Sequence, residues 1–139
     1  MVNIAQYETL LKKKLGLVQQ IYDNTQRQTE AINSEHYEAL DPLLVKRQAF
    51  MEQVDTINNQ LLQQESTKPN TEKILKINQA ITQLLSQIEA LNKQNIETAK
   101  PAKQQMEESF KYIQLGKKAV VNGYLKPLQT QGHKMDKKQ

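Results

Sequence analysis

Apolar residues recur along the first 33 positions at alternating steps of three and four. Lys14 and Gln28 stand at the two positions where this series would otherwise place an apolar residue. Such spacing is typical of an amphipathic helix with a coiled-coil-like seam, and it predicts a helix over residues 4–33. A single glycine, Gly16, weakens the interior of a helix without ending it. The series consists of Ile4, Tyr7, Leu11, Val18, Ile21, Thr25 and Ile32.

A second helix is predicted over residues 42–65, after a short connection. Ser34 is the expected N-cap of a short helical turn at residues 35–40. Asp41 and Pro42 form a second start signal, the first as cap and the second in the first helical position. Because the connection is short, we expect the first two helices to be antiparallel neighbours. The stripe of the second helix, which includes one arginine, is Leu43, Leu44, Arg47, Phe50, Met51, Val54, Ile57 and Leu61.

The segment ESTKPNTEK, residues 65–73, is rich in turn-forming residues and predicts a loop. Thr71 is the expected N-cap of a third helix over residues 72–99, with Glu72 in its first turn. This helix is similar in length to the first two and completes an antiparallel three-helix core. Its seam keeps the same alternating steps and consists of Ile74, Ile77, Ile81, Leu84, Ile88, Leu91, Asn95 and Thr98.

Two signals place a joint near Lys100-Pro101. A proline inside a helix removes a hydrogen bond and costs about 3 kcal/mol or more. The seam also weakens over residues 95–102, where Asn, Thr and Ala replace Ile and Leu. We therefore expect a kink at this point and a C-terminal helical extension over residues 102–125. A basic, flexible tail is expected to follow at residues 126–139.

The extension carries apolar residues at the spacing that helix-in-groove recognition uses. Met and aromatic side chains bury much area and adapt to irregular surfaces, which suits a partner protein. The same stripe is equally typical of a helix that packs on helices one and two as part of the core. The candidate partner-binding residues are Met106, Phe110, Ile113, Lys117, Lys118, Val120, Tyr124 and Leu125.

Composition favours an all-α protein. Hydrophobic residues make up 37% of the chain, and only four glycines and four prolines are present to serve the turns of a sheet. With no cysteine and no apolar run of membrane-spanning length, we expect a soluble cytoplasmic protein without membrane insertion. The predicted fold is one domain, residues 1–125, built as an antiparallel bundle of three long helices with the extension after Pro101.

No constellation of catalytic residues can be assembled from this sequence. Its two histidines, His36 and His133, fall in a turn and in the tail, and its glycines are scattered singly. The adjacent acids Glu107 and Glu108 point apart on a helix. We therefore expect no enzymatic activity, no metal site and no cofactor.

The charge of the chain is unevenly distributed. The net charge is +4, with net −3 in residues 1–66 and net +7 in residues 67–139. Lysines near the end of the chain could contact phosphates, but no arginine follows Arg47 and the tyrosines are too few for a stacking platform. Nucleic-acid binding is therefore the weakest alternative. A homodimeric coiled-coil scaffold, formed through an exposed seam, is a stronger one.

The overall layout resembles a known family. The stretch AINSEHYEALDPLLVKRQAFMEQVDTIN has a helix end, a short acidic turn and then a long apolar seam, and the chain closes with IEALNKQN, KYIQLGKKAVVNGYLKPL and GHKMDKK. This arrangement resembles the small flagellar type III export chaperones of the FlgN/FliT type. The ending, with Lys117-Lys118 and Tyr124, is more similar to the branch that serves the filament cap protein.

The resemblance implies a cytoplasmic binding protein that uses no nucleotide. Such chaperones hold the C-terminal helical segment of a filament cap protein or of a hook–filament junction protein. They then deliver it to the flagellar export apparatus and its ATPase. Their C-terminal helix is commonly the part that binds the substrate or masks the site, which agrees with the division expected at Pro101.

Overall fold

The computed structural model describes residues 4–64 and 71–109. Its long helices are α1 (Ile4–Asn33), α2 (Leu40–Leu62) and α3 (Glu72–Thr98), and a 3-10 turn at Tyr37–Ala39 leads directly into α2. Residues 103–109 form a fourth helix, α4. The predicted all-α class is confirmed for these residues, which contain no strand.

Helix α1 lies at the centre of the bundle. Both α2 and α3 pack along it, whereas α2 and α3 make few contacts with each other. Helix α3 runs parallel to α1, because Lys73 Nζ contacts Glu8 Oε2 near one end at 3.3 Å and Thr29 Oγ1 contacts Asn95 Oδ1 near the other at 2.8 Å. Helix α2 runs antiparallel to both, as the short connection predicts.

Buried apolar side chains form two clusters. The main cluster joins α1, α2 and α3, and the smaller one lies at the α1–α2 turn, where α4 begins. Burying one large aliphatic side chain is worth about 1.5–3 kcal/mol, so these clusters are the main source of stability. The main cluster contains Tyr7, Leu11, Leu17, Val18, Ile21, Met51, Val54, Ile57, Leu61, Ile74, Ile81, Leu85 and Ile88. The second cluster contains Ala31, Ile32, Leu40, Leu44, Ile96, Ala99 and Met106.

The buried face of α3 departs from the predicted seam. Leu84 and Leu91 are only half-buried, while Leu85 and Asn92 take their places in the interior. Four of the predicted seam residues are buried, namely Ile74, Ile81, Ile88 and Asn95. The buried residues from Ile81 to Asn95 still alternate in steps of four and three, so the heptad-like spacing is retained and only the second position of each repeat moves by one residue. The predicted seam of α1 is confirmed from Tyr7 to Ile32, including the buried Lys14 and Gln28, whereas Ile4 is exposed.

Two predicted helix caps are wrong and one is confirmed. Neither Ser34 nor Asp41 caps a helix, because the 3-10 turn continues into α2 without a side-chain cap and brings the fully buried Leu40 into the helix. Thr71 is the N-cap of α3, and its Oγ1 accepts a hydrogen bond from the amide of Ile74 at 3.2 Å. Helix α2 therefore begins two residues earlier than predicted and ends at Leu62 rather than at residue 65.

The joint near Pro101 is a complete break rather than a kink. Ala99 is extended, with φ −80° and ψ 130°, and residues 99–102 are not helical. The ring of Pro101 disfavours helical geometry at Lys100, which accounts for the position of the break. Helix α4 is therefore a separate element and not a continuation of α3. The predicted extension beyond residue 109 and the tail lie outside the described residues.

Candidate functional site

Of the eight residues predicted to bind a partner, one lies in the described part of the chain. Met106 is fully buried in the second cluster, so in this conformation its side chain is part of the core. The others, which lie beyond the described residues, are Phe110, Ile113, Lys117, Lys118, Val120, Tyr124 and Leu125. Their role in partner binding stays a prediction.

Helix α4 is held against the bundle by one apolar and one polar contact. The apolar contact is Met106, which packs in the cluster that contains Leu40 and Leu44 of α2. The polar contact is Ser109, whose Oγ accepts hydrogen bonds from Arg47 Nε at 3.1 Å and from Arg47 Nη2 at 2.5 Å. The two residues are three positions apart and therefore share one face of α4.

Arg47 is a fully buried cation on α2. Its third donor, Nη1, binds Thr25 Oγ1 of α1 at 3.0 Å, and that hydroxyl in turn donates to the carbonyl of Ile21 at 2.9 Å. The guanidinium therefore connects α1, α2 and α4 through hydroxyl groups. Desolvation by burial lowers the pKa of Arg47 to about 9, so the side chain remains charged at neutral pH.

No carboxylate neutralises Arg47 among residues 4–64 and 71–109. The ion pairs there include Glu8–Lys12, Glu8–Lys73 and Glu72–Lys76, which lie far along the helices from Arg47. Burial alone accounts for the lowered pKa of Arg47. A charge removed from water and met only by neutral groups is energetically costly, and it is uncommon in protein interiors.

Further polar side chains surround this position. Asn95 of α3 bonds to α1 twice: its Oδ1 accepts from Thr29 Oγ1, and its Nδ2 donates to the carbonyl of Thr25 at 3.3 Å. On the other side of α1, Asn24 Nδ2 donates to the carbonyl of Leu43 at 2.9 Å and Asn24 Oδ1 accepts from Gln28 Nε2 at 2.7 Å. Together with Arg47 these residues form a buried polar layer across the bundle.

The polar layer has unused hydrogen-bonding capacity. Asn92 and Gln28 are completely inaccessible to solvent. Neither amide atom of Asn92 has a hydrogen-bond partner, and the Oε1 atom of Gln28 has none either. Gln28 lies on α1 between Thr25 and Thr29, the two residues that Asn95 contacts, and Asn92 lies about one helical turn before Asn95 on α3. Buried polar groups without partners are uncommon and call for an explanation.

The polar layer was only partly visible in the sequence. The sequence places Arg47 in the apolar stripe of α2, but this position alone does not indicate a binding site. The sequence signal for such a site is a positively charged residue at a seam position that has no Asp or Glu at the neighbouring seam positions. The burial of Asn92 could not be foreseen, because the predicted seam passed through Leu91.

The remaining surface offers few other features. Ile4 and Val45 are the large hydrophobic residues exposed in the described part of the chain. No cluster of three metal-ligating side chains occurs there, and none of the described helices has the length and hydropathy needed to cross a membrane. A shallow groove of about 570 Å³ between α1 and α3 is lined mainly by polar residues such as Gln26, Gln87 and Gln94.

The features that a function must explain are thus the docked α4, the buried Arg47 beneath it and the unpaired amide atoms of Asn92 and Gln28. Comparison of the chain with protein-family models, with curated proteins and with solved structures finds no match.

Proposed function

We propose that this chain is a cytoplasmic chaperone that binds a helical segment of a flagellar axial protein before type III export. The filament cap protein is the first candidate substrate, and the hook–filament junction proteins are the second. The proposal begins from the sequence resemblance. It is supported by one structural observation, the way in which α4 is attached to the bundle.

The attachment of α4 is separable from the main core. The main cluster draws its residues from α1, α2 and α3 and includes none from α4. Loss of Met106 from the bundle would leave that cluster intact while exposing Leu40, Leu44 and Ile96 of the second cluster. A small apolar surface of this kind suits an amphipathic helix from another protein, which would bury its own apolar residues there.

The alternative of a coiled-coil homodimer has less support. A dimer of that kind needs an apolar seam on the surface, and the described residues expose only Ile4 and Val45 among their large hydrophobic side chains. Self-association through such a seam would then depend on residues outside 4–64 and 71–109. The nucleic-acid alternative rests on the lysines of the C-terminal part, and a steep dependence of affinity on salt concentration would support it.

A titration tests the proposed function. The chain would be mixed with purified filament cap protein and with each hook–filament junction protein, and complex mass would be followed by light scattering. We expect one stable one-to-one complex, lost in the Phe110→Ala/Tyr124→Ala double variant. Val45→Ala, which removes an exposed apolar side chain outside the C-terminal segment, is the matched control and should bind normally. Self-association without binding of any candidate would favour the scaffold instead.

A further inference from the structure

We infer that the Arg47 site accepts a carboxylate from an amphipathic partner helix that carries an acidic residue three positions after an apolar one. This inference rests on the proposed function, since it specifies the chemistry of the partner at the same place. The partner's apolar residue would take the position of Met106, and its Asp or Glu the position of Ser109.

The geometry around the guanidinium suits a carboxylate better than the hydroxyl now present. Arg47 directs two donors, Nε and Nη2, at the single oxygen of Ser109. A carboxylate has two oxygens that match this pair of donors, and such charge-assisted bonds are roughly twice as strong as neutral ones. A hydroxyl therefore satisfies the hydrogen bonds of the site but leaves its charge uncompensated.

The chain itself offers little that could neutralise Arg47. Among the described residues no acid forms an ion pair with it, and Glu107 and Glu108 on α4 are exposed. Residues 110–139 contain seven lysines and a single acid, Asp136. A partner that supplies an acid at this position would therefore contribute an interaction that α4 cannot make.

The polar groups around Arg47 are a second indication. Arg47 binds Thr25 Oγ1, and the carbonyl of Thr25 accepts from Asn95 Nδ2, so the interior around the guanidinium is polar. Oε1 of Gln28, three residues after Thr25 on α1, is buried without a hydrogen-bond partner. Asparagine and glutamine amides can bond to a longer acidic side chain or to water that accompanies it.

The first test measures whether Arg47 accepts a carboxylate within the full chain. Ser109→Asp and its neutral, nearly isosteric control Ser109→Asn would be made with and without Arg47→Met. We expect the Asp variant to melt about 4 °C or more above the Asn variant when Arg47 is present. In the Arg47→Met background the Asp variant should melt below the Asn variant, because the new acid lies beside Glu107 and Glu108 and no longer has Arg47 as an ion-pair partner. An Asp variant no more stable than the Asn variant in the presence of Arg47 would overturn the inference.

The second test measures recognition of a separate helix. Two synthetic peptides covering residues 102–125, one with Ser109→Asp and one with Ser109→Asn, would be titrated onto the full chain by fluorescence anisotropy. The chain's own α4 competes equally with both. We expect the acidic peptide to bind at least about tenfold more tightly, with the difference lost in Arg47→Met. Equal binding of the two peptides, or binding of neither, would overturn the inference.

The two proposals can fail separately. If Arg47→Met binds a flagellar axial protein as well as the unmodified chain does, the inference about Arg47 is wrong and the proposed function stands. If the acidic peptide binds in an Arg47-dependent manner but no flagellar candidate binds, the proposed function is wrong and the acid-accepting site remains.

Discussion

Asn95 of α3 and Thr29 of α1 are joined by a hydrogen bond of 2.8 Å from the threonine hydroxyl to the amide oxygen. One helical turn earlier, Asn92 occupies an equally buried position but neither of its amide atoms has a partner. The two asparagines thus offer a comparison between a satisfied and an unsatisfied buried amide on the same helix.

We predict that Asn92→Leu stabilises the bundle whereas Asn95→Leu destabilises it. An unpaired buried amide costs about 1–3 kcal/mol, which an apolar side chain of similar size would recover at Asn92. At Asn95 the same change would remove the amide that accepts from the hydroxyl of Thr29 and donates to the carbonyl of Thr25. Urea denaturation of the two variants checks this. Equal destabilisation by both would show that Asn92 has a partner in solution.

Glu35, two residues after the end of α1, has unfavourable backbone geometry. Glu35 has φ 58°, and the amides of Glu35 and His36 bond to the carbonyls of Ile32 and Ala31, which is the Schellman arrangement. A non-glycine residue there costs about 1–2 kcal/mol. We expect Glu35→Gly to raise the free energy of unfolding by about 1 kcal/mol. Glu35→Ala, which removes the charge but keeps the strain, should give no such gain, and a similar gain from both would attribute the effect to charge.

Gly16 is an unnecessary source of flexibility in the middle of α1. A Cβ atom built at this position meets no atom within 4 Å, and the backbone is helical. Glycine inside a helix costs about 1 kcal/mol relative to alanine. Gly16→Ala should therefore raise the thermal midpoint without changing the fold. A lower midpoint would mean that something outside the described residues approaches α1 at this point.

Glu8 of α1 pairs with Lys12, one turn later in the same helix, at 3.0 Å and with Lys73 in the first turn of α3 at 3.3 Å. The pKa of Glu8 lies below its ordinary value of 4.5, mainly because Lys12 donates a hydrogen bond to the carboxylate. Desolvation partly opposes this shift, and the contact with Lys73 adds to it. The stability that this group contributes is present above pH 4.5 and is lost as the pH falls through the lowered value. We expect Glu8→Gln to be less stable than the unmodified chain at neutral pH.

The stability difference caused by Glu8→Gln should disappear in acid, below the lowered pKa of Glu8. Thermal denaturation across this pH range checks the sign, and added salt should reduce the difference because the pair is near the surface. A difference that persists in acid would show that Glu8 acts by packing or hydrogen bonding rather than by charge.

Much of the fold follows from local rules that act within one segment. The ends of α1 and α3, the cap at Thr71 and the interruption near Pro101 were all predicted, because helical periodicity, capping and the restrictions imposed by proline depend on neighbouring residues. The start of α2 was predicted less well. Burial of Leu40 and the continuous 3-10 turn outweighed the cap signal of Asp41-Pro42.

The sequence by itself determined the helices, their order and the residue types that form the core. Only the tertiary structure decided which face of α3 is buried, because the shift from Leu91 to Asn92 depends on how α3 packs against α1. It also decided that Arg47 lies beneath α4 and meets Ser109, more than sixty residues away in the chain. Such a contact depends on the directions in which separate helices pack, and periodicity within a single helix carries no information about those directions.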